Sequence, residues 1–121
     1  MQMNEMQFSE GVPVDGYGPG FFRIAGQVVQ GPICLGPTGL CAWRGYDNLD
    51  PLMALADAVD VIFVGTGAEI AFLPDPVRQF LKKASFGVEP MSSPAACRTY
   101  NVLLSEGRRV ALAALPVATG G

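Results

Sequence analysis

"DVIFVGTGAEI", Asp60 to Ile70, is the stretch whose reading decides the architecture. Its four apolar residues, Val61 to Val64, form a run too short for a helix and too uniformly apolar for a strand with one wet face. Such a run predicts a central strand covered on both sides, which calls for helices above and below a sheet. The run ends in Gly65-Thr66-Gly67, at the carboxyl end of the strand, where open α/β sheets bind ligands. A phosphate cradle there needs backbone N–H groups converging on an anion, with a helix N-terminus behind them. Two glycines equally let a strand end abruptly and a neighbouring backbone come close. The third glycine of a dinucleotide fingerprint is Ile70 here, no Gly-Lys-Ser/Thr follows, and "AEIAFLP" reads as extended chain. The turn is therefore the simpler reading, with a small-ligand cleft as the alternative.

Outward from that strand, three helices begin with the same device. Asp50 reads as an N-cap with Pro51 in the first helical position, and Leu52, Leu55, Ala56 and Val59 recur at helical spacing. Asp75 and Pro76 repeat the pattern, with Val77, Phe80, Leu81 and Ala84 as the buried stripe and Arg78, Gln79, Lys82 and Lys83 toward water. Ser93 and Pro94 open the third helix, whose apolar face is Ala96, Cys97, Tyr100, Leu103 and Leu104. "FGVEPM" reads as a short strand, and "RRVALAALPV" as a last one whose alanines suit a closely packed helix. Before the first helix the chain is β-rich, with runs from Phe21 to Ala25 and Gln27 to Leu35 and a short strand in "GPTGLCAW"; Gly26, Gly31 and Pro32 mark turns or bulges. The sum is an α/β fold: one domain over 1–121, a three-layer arrangement with a central mixed β-sheet flanked by helices, and irregular ends at 1–16 and 117–121.

Composition narrows the function. Half of the 121 residues are apolar and 16% are charged, which suits a packed core and not a solvating tail. A net charge of −3 and basic residues that form no stripe argue against a nucleic-acid partner. No apolar run approaches the roughly eighteen residues of a transmembrane segment. The opening "MQMNEMQFSEG" lacks the basic and apolar regions of a signal peptide, so the expected location is cytoplasmic. Histidine is absent, which removes Ser-His and Cys-His catalysis and the commonest metal ligand. Cys34, Cys41 and Cys97 have no metal-binding spacing and read as free core thiols. No catalytic residue, metal site or cofactor is expected.

"FFRIAGQ", "VIFVGTG" and "EPMSSPAACRTYNVLLSEGRRVALAALP" together resemble the small α/β domain family that includes the mitochondrial complex I assembly factor 3 and bacterial and archaeal members of unknown function. The resemblance runs from about Tyr17 to Pro116, and its most specific part pairs the glycine turn with Thr99-Tyr100-Asn101, Leu104, Glu106, Arg109 and Val110. It implies the same three-layer fold, and a protein partner such as a respiratory-complex subunit or assembly protein. Family members commonly carry Met-Thr before the third helix where this chain has Met91-Ser92-Ser93-Pro94, with Ser93 able to cap.

The expected function is thus a non-enzymatic interaction or assembly-factor-like domain of open oligomeric state. The alternative is a small-molecule or anion-binding protein, even an enzyme, using a cleft at Gly65, Thr66, Gly67, Ser93 and Asn101. Asn101 sits at the margin of the third helix's buried stripe, where an amide seeks a partner, and the glycine turn is its expected one. Glu106 and Arg109 are expected to pair across a corner, Tyr100 to sit in the core with its hydroxyl bonded at the edge, and Trp43 to anchor the core.

Overall fold

The computed structural model describes residues 11–117; the irregular ends expected over 1–10 and 118–121 fall outside it. In chain order the elements are β1 (Val14–Gly18), β2 (Phe21–Ile24), β3 (Gln27–Gln30), β4 (Ile33–Gly36), β5 (Gly39–Cys41), α1 (Asp50–Met53), β6 (Val61–Gly65), α2 (Asp75–Leu81), β7 (Gly87–Met91), α3 (Ser93–Ser105) and β8 (Val110–Ala114).

Five strands form the central sheet in the order β5-β4-β8-β6-β7. The strand β6 runs parallel to β8 and β7, while β4 is antiparallel to β8 and β5, so the sheet is mixed. Strand side chains alternate between faces, and the core divides accordingly. Ile62, Val64, Ala111 and Ala113 join Leu52, Leu55, Val77 and Leu81 on the side of α1 and α2. Phe63, Val110, Leu112 and Ala114 join Ala96, Cys97 and Tyr100 of α3 on the other side. The continuously apolar "VIFV" is therefore buried on both faces of a parallel region, in a three-layer α/β domain.

The β-rich opening divides, and only β4 and β5 join that sheet. The strands β1, β2 and β3 form their own antiparallel sheet, whose Val14, Phe22 and Ile24 pack on the α3 side of the core. The expected single run Gln27 to Leu35 is two strands in two sheets, because Gly31 turns with φ 81° and Pro32 has no N–H to continue a ladder. Residues 14–16, expected to be irregular, belong to β1, an edge strand whose pairing shifts register between Val14 and Gly16.

The helix starts differ from expectation in one consistent way. Asp50 and Asp75 are the first helical residues, not caps, and neither α1 nor α2 has a side-chain cap. Asn48 instead accepts from the Asp50 N–H at 3.1 Å, and Asp75 binds Arg78 at 2.7 Å across one turn. In α3 the cap is Ser92, which accepts from the Ala95 N–H at 3.3 Å, and this frees Ser93 for another role. The helix α1 is a single turn continued by tighter i→i+3 bonds, yet Leu52, Leu55 and Val59 still reach the core. Arg109 pairs with Asp60 at 3.5 Å, not with Glu106, and its side chain also donates to the Asp57 carbonyl at 3.3 Å. Among the described residues, no helix is long and apolar enough to cross a membrane.

Candidate functional site

Four of the five residues singled out in the sequence do come together, and their polar groups are bonded within the chain. Gly65 ends β6 beneath the first turn of α3; a Cβ there would stand 2.6 Å from Ser93 Oγ and 2.8 Å from Ser93 Cα. The glycine is needed for close approach and not for a left-handed backbone, since its φ is not positive. Ser93, fully buried, donates from its hydroxyl to the Leu115 carbonyl at 2.6 Å and accepts from the Gly67 N–H at 2.9 Å. Its own N–H donates to the Gly67 carbonyl at 2.7 Å, and the Leu115 N–H donates to the Gly65 carbonyl at 2.9 Å. One serine thus ties together the ends of β6 and β8 and the start of α3.

Thr66 closes the loop that follows. Its N–H donates to the Met91 carbonyl at 2.8 Å; its hydroxyl lies 2.8 Å from the Glu69 carbonyl and 3.0 Å from that of Met91, and it accepts from the Ala71 N–H at 3.1 Å. The N–H groups of Thr66, Gly67 and Ser93 all have partners within the chain, so the turn directs none of these three donors at a cleft.

Asn101 stands apart, and the expectation that it reaches the glycine turn is corrected. Its amide spans the two backbone groups of one residue, donating to the Val14 carbonyl at 2.8 Å and accepting from the Val14 N–H at 2.9 Å. The reason is the β-rich opening: β1 lies against α3, and its register shift at Val14 leaves backbone groups that an amide can satisfy. Tyr100 beside it is fully buried and donates to the Val12 carbonyl at 2.8 Å, so this pair fastens the segment 12–14 to α3.

Two of the three thiols, Cys34 and Cys97, are buried. Burial pushes Cys97 up to about 11, and it pushes Cys34 higher still, with the facing Cys41 adding to the effect. Cys34 and Cys41 lie directly opposite one another on β4 and β5, and all three thiols are free.

The open surface lies elsewhere. A cavity of about 680 Å³ opens at the β7 edge of the sheet, on the α1 and α2 side, between α2, β7 and the loop 70–73. Leu73, Leu81, Phe86, Val88 and Pro90 line it, Arg78 and Lys82 stand at its wall, and Gly65, Thr66, Gly67, Ser93 and Asn101 are not among its lining. Ile70 and Phe72, which also border it, are 70% and 100% exposed. Sequence reading passed over this site by treating "AEIAFLP" as a plain connection. The available signal was an apolar tetrad, Ile70 to Leu73, in a segment without helix or strand periodicity.

A family model described as a protein of unknown function, DUF498/DUF598, matches residues 14–115. A Rhodobacter capsulatus protein, itself uncharacterized, is 48% identical over 97% of this chain and 94% of its own length. The zebrafish (Danio rerio) NADH dehydrogenase [ubiquinone] 1 alpha subcomplex assembly factor 3 is 32% identical over 96% of this chain and 71% of its own length. The crystal structure of a Bartonella henselae protein described as an outer membrane protein superposes with a TM-score of 0.80 at 33% identity, covering 92% of this chain and 99% of that one.

Proposed function

This chain belongs to the DUF498/DUF598 family, and we propose that it is a non-enzymatic protein-interaction module of the assembly-factor kind. The observation that carries this reading is the fully exposed Phe72 beside Ile70 on the lip of an apolar groove. An isolated surface leucine or valine is ordinary, whereas two large apolar side chains held outward next to an apolar cavity mark a surface that a partner covers. Support also comes from the relatives that are named as assembly factors, because assembly requires contact with other polypeptides. By that likeness, the partner we propose is a subunit or assembly protein of a respiratory complex.

The alternative, an anion or small-molecule site at Gly65, Thr66, Gly67 and Ser93, has weaker support. The N–H groups such a ligand would need are occupied by Met91, Ser93 and Gly67. Two observations could raise it again: a bound anion at that turn, or loss of a specific ligand on changing Ser93.

Affinity capture from the native host, comparing the wild-type chain with Phe72→Ser, tests the reading. Because Phe72 is fully exposed, the variant should keep its fold, which its thermal melt checks. We expect a discrete set of proteins retained by the wild type and lost by the variant; identical sets, or no specific protein, would sink the reading. We further propose a cytoplasmic location, which suits three free thiols. Cell fractionation that recovers the chain in the periplasm or with the membranes would overturn that part.

A further inference from the structure

We propose that the groove beside Phe72 receives an amphipathic helix of the partner, its apolar stripe in the cavity and its carboxylates toward Lys82 and Arg78. This rests on the partner-binding reading above and adds the shape and charge of what binds.

The edge of the sheet disfavours an added strand. The Gly87 N–H donates to the Asp60 carbonyl, and the Met91 carbonyl accepts from the Thr66 N–H. With a period of two, Gly87, Glu89 and Met91 turn their backbone groups toward β6, and Val88 and Pro90 turn theirs to the open edge. Pro90 has no N–H, so an incoming strand finds a single outward donor on β7, that of Val88. Proline at an outward-facing edge position blunts strand pairing. The surface that remains is a trough between a helix and a loop, which suits side chains spaced at i, i+3, i+4 and i+7.

Extent disfavours a small ligand. The cavity of about 680 Å³ is bordered by Ile70 and Phe72, which are 70% and 100% exposed, so a molecule held within it would leave much of this apolar lip in water.

Charge specifies the rest. The whole chain carries −3, yet from Pro76 to Val88 it holds Arg78, Lys82 and Lys83 and no acidic residue. Arg78 is shared with Asp75, and Lys83 lies 5.5 Å from the ring centroid of Phe80. Of the other nearby carboxylates, Glu89 is on the opposite face of β7 from Val88 and Pro90, and Glu69 precedes Ile70 in the loop that borders the groove. With Arg78 shared, Lys82 is the wall cation left without an ion pair among the described residues, and it favours a partner segment with carboxylates flanking its apolar stripe, in part by excluding basic competitors.

The test is selection of a random peptide display library on the full chain, counter-selected with Phe72→Ser and repeated on Lys82→Glu. We expect enriched peptides with apolar residues at helical spacing and flanking Asp or Glu. Synthetic copies should shift amide resonances of residues 70–73 and 78–88, and Lys82→Glu should weaken them about tenfold. The proposal is overturned by enriched peptides with alternating strand-like or basic patterns, by peptides indifferent to Phe72, or by a fatty acid such as dodecanoate displacing every peptide at low concentration. If host-protein capture depends on Phe72 while these results go against an acidic helix, the partner reading stands and only this inference falls.

Discussion

The glycine turn and the Phe72 groove lie at opposite ends of one loop, and they show opposite economies. At the turn every polar group that looks like chemistry is consumed by the fold: Ser93 holds Gly67 and Leu115, and Thr66 holds Met91, Glu69 and Ala71. A few residues later, Ile70 and Phe72 stand largely in water among the described residues. Unmet polar groups inside a protein cost roughly 1–3 kcal/mol each, so a fold rarely leaves them unpaired. An exposed apolar side chain carries no such local penalty and can wait for a partner. The comparison shifts attention from the motif that looks functional to the loop that looks plain, and Thr66 connects the two, since its hydroxyl shapes the segment that carries Phe72.

If the turn is structural, Gly65→Val should have the largest effect. The added side chain would collide with the Ser93 backbone and Ala114 Cβ, 2.8 Å and 3.0 Å from the new Cβ, both of them in fully buried residues. We expect a loss of about 3 kcal/mol in chemical denaturation, the upper range for overpacking a core. An unchanged midpoint would mean that α3 can shift freely from β6, and the contrast between the two regions would collapse.

Ser93→Ala should come next, at about 2 kcal/mol, because it leaves the Gly67 N–H and the Leu115 carbonyl without their partner in a partly buried place. Loss of stability without any change in capture of host proteins would sharpen the division of labour. Retained stability with lost capture would instead move the binding site to the turn.

Asn101→Leu should cost about 1 kcal/mol, since Val14 is at a sheet edge where water can partly replace the amide. Its signature is local: the Val14 N–H should exchange faster with solvent while amides at 65–67 keep their protection. Faster exchange at the turn and not at Val14 would contradict the bonding described.

Thr66→Val should change stability least, by less than about 1 kcal/mol, because its hydroxyl bonds are partly exposed. It should nevertheless loosen residues 68–72 and weaken the peptides selected on the wild-type groove. Undiminished peptide binding would show that the loop keeps its shape without that hydroxyl.

Much of the architecture was legible because it depends on patterns local to the chain. The uninterrupted apolar "VIFV" could be satisfied only by cover on both faces, and the period of Ala96, Cys97 and Tyr100 required a helix with a buried stripe. Proline after a polar residue located the three helix starts to within a residue, but it did not say which residue caps. Ser92 and Ser93 are both able to cap, and only packing against Gly65 and Leu115 assigns Ser93 to the knot. Arg109 likewise could have met Glu106 nearby in sequence; the return of β8 alongside β6 brings Asp60 to it instead.

What the sequence by itself determined is the set of elements, the two-sided burial of β6 and the absence of histidine chemistry, since each follows from residue type and spacing. Tertiary structure alone decided where the polar side chains find partners and which apolar ones are left without. That Asn101 bonds Val14, 87 positions away, depends on a separate three-stranded sheet that no local period reveals. That Phe72 faces water, while its neighbour Leu73 is buried, depends on how a loop with no periodicity crosses the sheet edge. Hydrogen bonding and burial are satisfied by neighbours in space, so a chain states which groups need a partner but not which of them will be met.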